Sequence, residues 1–105
     1  MLKLENKTAV ITGGGSGIGA AIVEKFAQAG AHIHILDIHR EATQEFADSL
    51  GDLASQITVH ACDVSNQSQV LQTLKQIDRA DILINNAGVA HVGNLEKCAE
   101  EDFDR

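Results

Sequence analysis

A short apolar strand that runs directly into a cluster of glycines restricts the possible folds of this 105-residue chain more than any other feature. Residues 8–12 are apolar or β-branched, a composition typical of a strand. Five glycines follow within residues 13–19, and from Ile18 apolar residues recur at helical spacing until Gly30. The sequence therefore predicts a strand, a tight turn and a helix in immediate succession.

The same alternation continues along the chain. Further strands are predicted at 32–36, 57–62 and 81–85, where short apolar runs occur. Between them, a second helix is predicted to be interrupted or capped near Gly51, and a third is predicted to begin at Ser65 as N-cap. Residues 100–105 are predicted to open one more helix. The apolar face of the second helix is assigned to Ala42, Phe46, Leu50 and Leu53.

Strands that alternate with helices indicate a parallel sheet with right-handed crossovers, covered on both faces. The predicted fold class is α/β, a Rossmann-type doubly wound parallel sheet whose first four strands lie in the order 3-2-1-4. The usual order has six strands, so the fourth would here be a bare apolar edge. We therefore expect residues 1–105 to be a single, incomplete domain, the N-terminal part of a larger one.

Charge and composition exclude several classes of protein. A formal net charge of −7 argues against a nucleic-acid partner, which requires clustered Lys and Arg. No apolar run approaches the roughly 20 residues of a membrane span, and the charged N-terminus is unlike a signal peptide. Cys62 and Cys98 lie far apart and are read as inert free thiols, which places the protein in the cytoplasm.

The glycine-rich turn suggests a phosphate site. Glycines allow unusual backbone angles and close approach to a pyrophosphate, while the amides and dipole at a helix N-terminus attract its charge. The pattern G-x-G-x-x-A at Gly15, Gly17 and Ala20 is weak alone but fits this strand-turn-helix context. The alternative is a turn that binds no ligand. The candidate cofactor-binding residues here are Gly13, Gly15, Ser16, Gly17, Ile18 and Gly19.

Acidic residues end the second and third predicted strands. Asp37 lies 18 residues after Gly19, close to the spacing at which a carboxylate accepts hydrogen bonds from an adenosine ribose. Asp63 and Val64 end the third strand, at the adenine end of the same crevice. Both aspartates are also common as turn or N-cap residues, so a structural role stays open for each.

Two asparagines close the fourth strand. Asn85 and Asn86, followed by Ala87 and Gly88, fall at the carboxyl edge of the sheet, where ligands of open α/β folds bind. Short amides can bind both a ligand and neighbouring backbone. We count Asn85 and Asn86 as candidate cofactor-binding residues, with a structural turn as the alternative.

These four motifs, in this order, resemble the N-terminal half of the short-chain dehydrogenase/reductase family, of the 3-oxoacyl carrier-protein reductase-like type. The resemblance runs from about Lys3 to Arg105. It implies an oxidoreductase that transfers a hydride between NAD or NADP and an alcohol or ketone, as a homo-oligomer. The family's catalytic Ser and Tyr-x-x-x-Lys lie later in its chain, so no catalytic residue is assigned to this stretch, which has no tyrosine.

The resemblance also bears on the choice of cofactor. Where NADP-preferring relatives commonly carry Arg or Lys, this chain has Ser16 and Ile38, while Arg40 is expected to begin the second helix facing solvent. A carboxylate at Asp37 would lose a hydrogen bond to NADP and repel its phosphate. NAD is therefore expected in preference to NADP.

Two other functions stay open from sequence. The chain could be a non-catalytic nucleotide-binding or interaction module, or a methyltransferase, whose fold has glycines and acids in comparable places. His32 and His34 share a strand face near His60, but a metal site needs three convergent ligands. Hydrogen-bonded strand histidines are the favoured interpretation, and no metal site is assigned.

Overall fold

A computed structural model describes residues 3–15 and 17–86. Strands and helices alternate along this part of the chain, as the sequence predicts, and each strand agrees with its predicted bounds to within one residue at either end. Ser16, Cys98 and the predicted helix at 100–105 lie outside the described residues. The elements are β1 (Thr8–Thr12), α1 (Gly17–Gln28), β2 (His32–Asp37), α2 (Arg40–Ser49), a 3₁₀ helix (Gly51–Gln56), β3 (Ile57–Ala61), α3 (Gln67–Lys75) and β4 (Ile82–Asn85).

The four strands form one parallel sheet in the order β3-β2-β1-β4, which confirms the predicted fold class and strand order. Strand β1 lies in the middle, with Ile11 opposite Ile35 of β2 and Ile84 of β4. Parallel neighbours cannot be joined by a hairpin, so each connection crosses a face of the sheet through a helix. All four strands therefore point their carboxyl ends the same way.

Apolar side chains cover both faces of the sheet. On one face, Ile11, Ile33 and Ile35 are buried together with Val23 of α1 and Ala47 of α2. On the other face, a second cluster receives partly buried side chains from α3 and β4; its buried members are Val10, Leu36, Cys62 and Ile77. Consecutive residues of β1 and β2 thus serve opposite faces, which explains the apolar runs 9–11 in β1 and 35–36 in β2.

The start of β4 is hydrogen-bonded to the start of β1, 73 residues away in sequence. The Asp81 amide donates to the Thr8 carbonyl oxygen at 2.8 Å, and the Thr8 amide donates to Asp81 Oδ2 at 2.8 Å. Arg79 Nε also lies 3.0 Å from the same carboxylate. The hydrogen bond from Thr8 holds the pKa of Asp81 below its ordinary value. This reciprocal pair fixes the register of β4 on β1.

Two details of the predicted helices are wrong. Ser65 does not cap α3: the side chain of Asn66 accepts from the Gln69 amide at 3.1 Å, while Ser65 Oγ donates to Asp63. A cap oxygen must reach an amide two or three residues later, and the competing bond to Asp63 occupies Ser65. Ala42 is exposed, and α2 buries Thr43 and Ala47 instead.

The break near Gly51 is confirmed. Helix α2 ends at Ser49, and Gly51 has a φ of 65°, a left-handed conformation that favours glycine. The 3₁₀ helix begins at this residue. Within the described residues, no helix combines the length and apolar character needed to cross a bilayer.

Two strand histidines are hydrogen-bonded to each other, as the favoured interpretation of the sequence predicts. His34 Nδ1 and His60 Nε2 are 2.9 Å apart, and their rings stack with centroids 5.1 Å apart. Burial lowers the pKa of both imidazoles, and the positive charge of Arg40 lowers that of His60 further. The pair is therefore held largely neutral between β2 and β3.

We predict that acid destabilises the protein through this pair. Because the folded-state pKa values lie below the ordinary 6.5, the unfolded chain binds more protons once the pH drops below that value. The free energy of unfolding, measured by urea denaturation, is expected to fall as the pH is lowered through 6.5 towards the depressed folded values. His60→Gln should reduce this loss, whereas His39→Gln, which replaces an exposed imidazole outside the pair, should retain it. An unchanged pH profile in His60→Gln would contradict the prediction.

Candidate functional site

The carboxyl ends of the strands bring the predicted site residues to one edge of the sheet. The glycine-rich turn follows β1, Asp37 ends β2, and Asp63 comes two residues after β3. Asn85 ends β4 and Asn86 follows it. Residues that are far apart in sequence therefore meet in one crevice, the usual ligand position in open α/β sheets.

Gly13 connects three of these strand ends. Its amide donates to the Leu36 carbonyl oxygen of β2 at 2.9 Å, and its own carbonyl oxygen accepts from Asn86 Nδ2 at 3.0 Å. Its φ of 68° is left-handed, which a side chain would disfavour. The backbone leaving β1 is thus turned sharply and held from both sides.

Gly19 must lack a side chain for this arrangement to exist. A Cβ placed on it would collide with the Gly13 carbonyl oxygen and lie 2.8 Å from Asn86 Nδ2. Helix α1 begins at Gly17, whose φ is 59°. The first turn of α1 can therefore pack directly on the glycine-rich turn, with its unpaired amides at the sheet edge.

Gly15 lies between two side chains from neighbouring elements. A Cβ built on it would be 2.6 Å from Thr43 Oγ1 of α2 and 3.1 Å from Asp37 Oδ2. The other carboxylate oxygen, Asp37 Oδ1, accepts from the His39 amide at 2.9 Å, which fixes its orientation. Asp37 Oδ2 has no hydrogen-bond donor in the described part of the chain. Asp37 Oδ2 is thus a hydrogen-bond acceptor that lies beside the turn.

Asp63 makes the contacts of a turn residue, which is the structural role that the sequence left open for it. Its Oδ1 accepts from the Ser65 amide at 3.0 Å and from Ser65 Oγ at 2.6 Å, and these bonds lower the pKa of Asp63. Its own amide donates to Gln69 Oε1 at 3.0 Å. Val64 packs against the core cluster around Leu36, so its side chain faces inward.

The two asparagines also hold the framework. Asn85 Oδ1 accepts from Thr12 Oγ1 at 2.9 Å, which pairs the ends of β1 and β4. Asn86 secures Gly13, as described above. The expected binding to neighbouring backbone is therefore seen for Asn86; binding of either amide to a cofactor stays a prediction. Ala87 and Gly88 lie outside the described residues, as does Ser16.

Exposed apolar side chains border the crevice. Ile18, in the first turn of α1, is 71% exposed, and Ile38, directly after Asp37, is 60% exposed. Such large apolar side chains on the surface are suited to contact a flat ring system. The sequence pattern did not identify Thr43 as part of this region; the one signal was a polar residue at a buried position of α2.

We predict that Gly19→Ala disrupts the turn. The new methyl group meets backbone and a fixed amide, so neither can yield without moving Gly13. The free energy of unfolding should fall by about 1–3 kcal/mol, measured by urea denaturation. Ile18→Ala, an exposed neighbour, is the matched control and should change it by less than about 0.5 kcal/mol. Equal stability of Gly19→Ala and the unmodified protein would contradict this account of the turn.

Comparison with known proteins agrees with this geometry. Residues 7–105 match the family described as short chain dehydrogenase. The chain is 43% identical over 108 residues to the oxidoreductase UcpA of Salmonella typhimurium, a match that covers 99% of this chain and 41% of that protein. The chain thus spans about two fifths of the length of the curated relatives that it matches.

Solved structures show the same fold. A hydroxysteroid dehydrogenase from Escherichia coli superposes with a TM-score of 0.72 at 34% identity, covering 82% of this chain and 38% of that one. A 3-ketoacyl-(acyl-carrier-protein) reductase from Brucella melitensis, complexed with NADH, gives a TM-score of 0.64 at 33% identity, covering 77% and 34%. The strand order, the glycine-rich turn and these matches place the chain in the short-chain dehydrogenase family of oxidoreductases.

Proposed function

We propose that this chain binds NAD(H) for an oxidoreductase that transfers a hydride between the nicotinamide and an alcohol or ketone. The observation that carries the proposal is the site itself: a side-chain-free turn, a helix N-terminus and an oriented carboxylate converge at one edge of the sheet. The family membership supports the same conclusion, because the family's members use nicotinamide cofactors.

The turn fits a pyrophosphate. Neither Gly15 nor Gly19 has space for a Cβ, so backbone amides are the groups that a ligand meets at close range. We assign the pyrophosphate to Gly15, Ser16, Gly17 and Gly19, and contact with the nicotinamide side of the cofactor to Ile18. Gly13, whose amide donates to Leu36, would shape the turn around the pyrophosphate. The bound cofactor would supply or accept the hydride; the residues of this chain hold and orient it.

The adenosine half of the cofactor is assigned to the other end of the crevice. Asp37 Oδ2, which lies beside Gly15 without a donor in the described residues, would accept hydrogen bonds from the ribose hydroxyls. Asp63 and the backbone of Val64 would contact adenine, and Ile38 offers an apolar surface for the ring. Asn85 and Asn86 would contact the adenosine ribose side while supporting the turn.

We propose that the residues that contact the substrate and the catalytic groups lie outside residues 1–105. We propose that residues 1–105 form the N-terminal part of one longer Rossmann domain, in keeping with their two-fifths share of the related proteins' length. Substrate contacts and the acid that protonates a carbonyl oxygen would then come from the rest of that domain. We further propose a cytoplasmic homo-oligomer that acts on a small alcohol or ketone.

The other two functions are less well supported. A methyltransferase would bind S-adenosylmethionine at a similar sheet edge, but the family match and the solved relatives are oxidoreductases. A non-catalytic binding module would share the turn and Asp37. Turnover of the full-length protein with an alcohol or ketone separates such a module from an oxidoreductase.

Calorimetry of the purified protein with NADH and with S-adenosylmethionine tests the proposal. We expect saturable binding of NADH and none of S-adenosylmethionine. Asp37→Ala should weaken NADH binding by about tenfold, because a charge-assisted hydrogen bond contributes about 1.5–3 kcal/mol. Asp52→Ala, which removes an exposed acid of the 3₁₀ helix, is the matched control. Binding of S-adenosylmethionine in place of NADH would refute the proposal.

We predict a preference for NAD over NADP. The 2′-phosphate of NADP would replace a hydroxyl that donates to Asp37 and would bring a second negative charge close to it. In the full-length enzyme, Asp37→Ser should therefore reduce the ratio of kcat/KM for NADH to that for NADPH by about tenfold or more. Adding Ile38→Arg to Asp37→Ser should reverse the preference. Equal or better turnover of the unmodified full-length enzyme with NADPH would show that Asp37 lacks this role.

A further inference from the structure

A second pocket lies away from the glycine-rich turn, at the outer side of β3. Its volume is about 520 Å³, within the range of small-molecule sites. Strand β3 is the last strand on its side of the described sheet, so this pocket opens at the sheet edge beside α3. It shares no residue with the proposed cofactor site. The side chains that line it include Arg40, His60, Gln69, Gln72, Thr73 and Gln76.

The charge of this pocket is opposite to that of the protein. Although the chain carries a net charge of −7, the described residues that line the pocket include one guanidinium and one imidazole and no carboxylate. Within residues 3–15 and 17–86, Arg40 makes neither an ion pair nor a side-chain hydrogen bond. An arginine has five donors, so this guanidinium is free to bind an oxyanion.

Helix α3 presents amides to the pocket. Gln69, Gln72 and Gln76 recur at helical spacing on one face, while Val70 and Leu74 pack into the core on another. Gln69 Oε1 already accepts from the Asp63 amide, which leaves its NH₂ group as the available part. The pocket therefore offers hydrogen-bond donors on both its helix side and its strand side.

His60 is fixed at the strand side by His34. Their 2.9 Å hydrogen bond uses His60 Nε2, so Nδ1 is the ring nitrogen left for another partner. The positive charge of Arg40 lowers the pKa of His60. The charges of His60 and His32 lower the pKa of His34. An anion beside Arg40 would offset the positive charge that disfavours protonation of His60. Anion binding and proton uptake by His60 would then support each other.

We propose that this pocket binds a small organic oxyanion, whose phosphate or carboxylate group lies between Arg40 and His60. The glutamine amides of α3 would hydrogen-bond the polar remainder of the ligand. A pocket of about 520 Å³ is larger than the group itself needs, which favours an organic anion over an inorganic ion.

Proton NMR of the histidine ring resonances tests whether the pocket binds an oxyanion. Inorganic phosphate, acetate and glycerol are each added to the purified protein at constant pH and ionic strength. We expect phosphate to shift the His60 resonance saturably, and glycerol to leave it unchanged. A response to acetate as well would extend the site to carboxylates; a response to phosphate alone would restrict it to phosphates. His60→Gln assigns the resonance.

The matched variants locate the site. Arg40→Gln should weaken the phosphate response by about tenfold. Lys75→Gln removes one positive charge from the last turn of the same α3 without touching the pocket and should retain the response. The response should also persist in saturating NADH. An unshifted His60 resonance, equal responses of Arg40→Gln and Lys75→Gln, or loss of the response in NADH would overturn the proposal.

Discussion

The backbone of Gly13 is the point on which the rest of this site depends. The Gly13 amide donates to Leu36 of β2, and the Gly13 carbonyl oxygen accepts from Asn86 in the segment after β4. Its left-handed φ and the missing side chain of Gly19 are both needed for this contact. Fixing this one position sets the direction in which the chain enters α1. The free amides at the start of that helix are thereby held at the carboxyl edge of the sheet.

Further hydrogen bonds hold the residues around the crevice in position. Thr12 is hydrogen-bonded to Asn85 at one end of the β1–β4 pair, and Thr8 to Asp81 at the other. Asp37 is oriented by the His39 amide. Groups that are already held in place lose little conformational freedom on binding, which favours affinity. The framework residues thus serve recognition even where they touch no ligand.

Much of this arrangement could be predicted from sequence because it depends on local patterns. Apolar runs, glycines and helical spacing identified the strands, the order of the sheet and the edge at which the motifs meet. The partner of Asn86 and the role of Asp81 could not be derived in this way, since Gly13 and Thr8 each lie 73 residues away in sequence. The N-cap at Asn66 was missed because Ser65 and Asn66 are equally good caps, and the contact between Ser65 and Asp63 decided between them.

The pocket beside β3 shows a further limit of sequence reasoning. The sequence favours a hydrogen-bonded strand histidine at His60 and a solvent-facing side chain at Arg40, and the fold places both at one pocket. Neighbouring strands and the start of α2 bring them together, and no short motif links the two residues. Their shared surroundings became visible only from the packing of β3 against α3.

A crystal structure of the protein with NADH tests the central claim most directly. The account predicts pyrophosphate oxygens within hydrogen-bond distance of backbone amides in residues 13–19, with both adenosine ribose hydroxyls on the Asp37 carboxylate. Gly13 should keep its contacts with Leu36 and Asn86 in that complex. A cofactor bound away from the glycine-rich turn, or an Asp37 carboxylate that faces away from the ribose, would contradict the account.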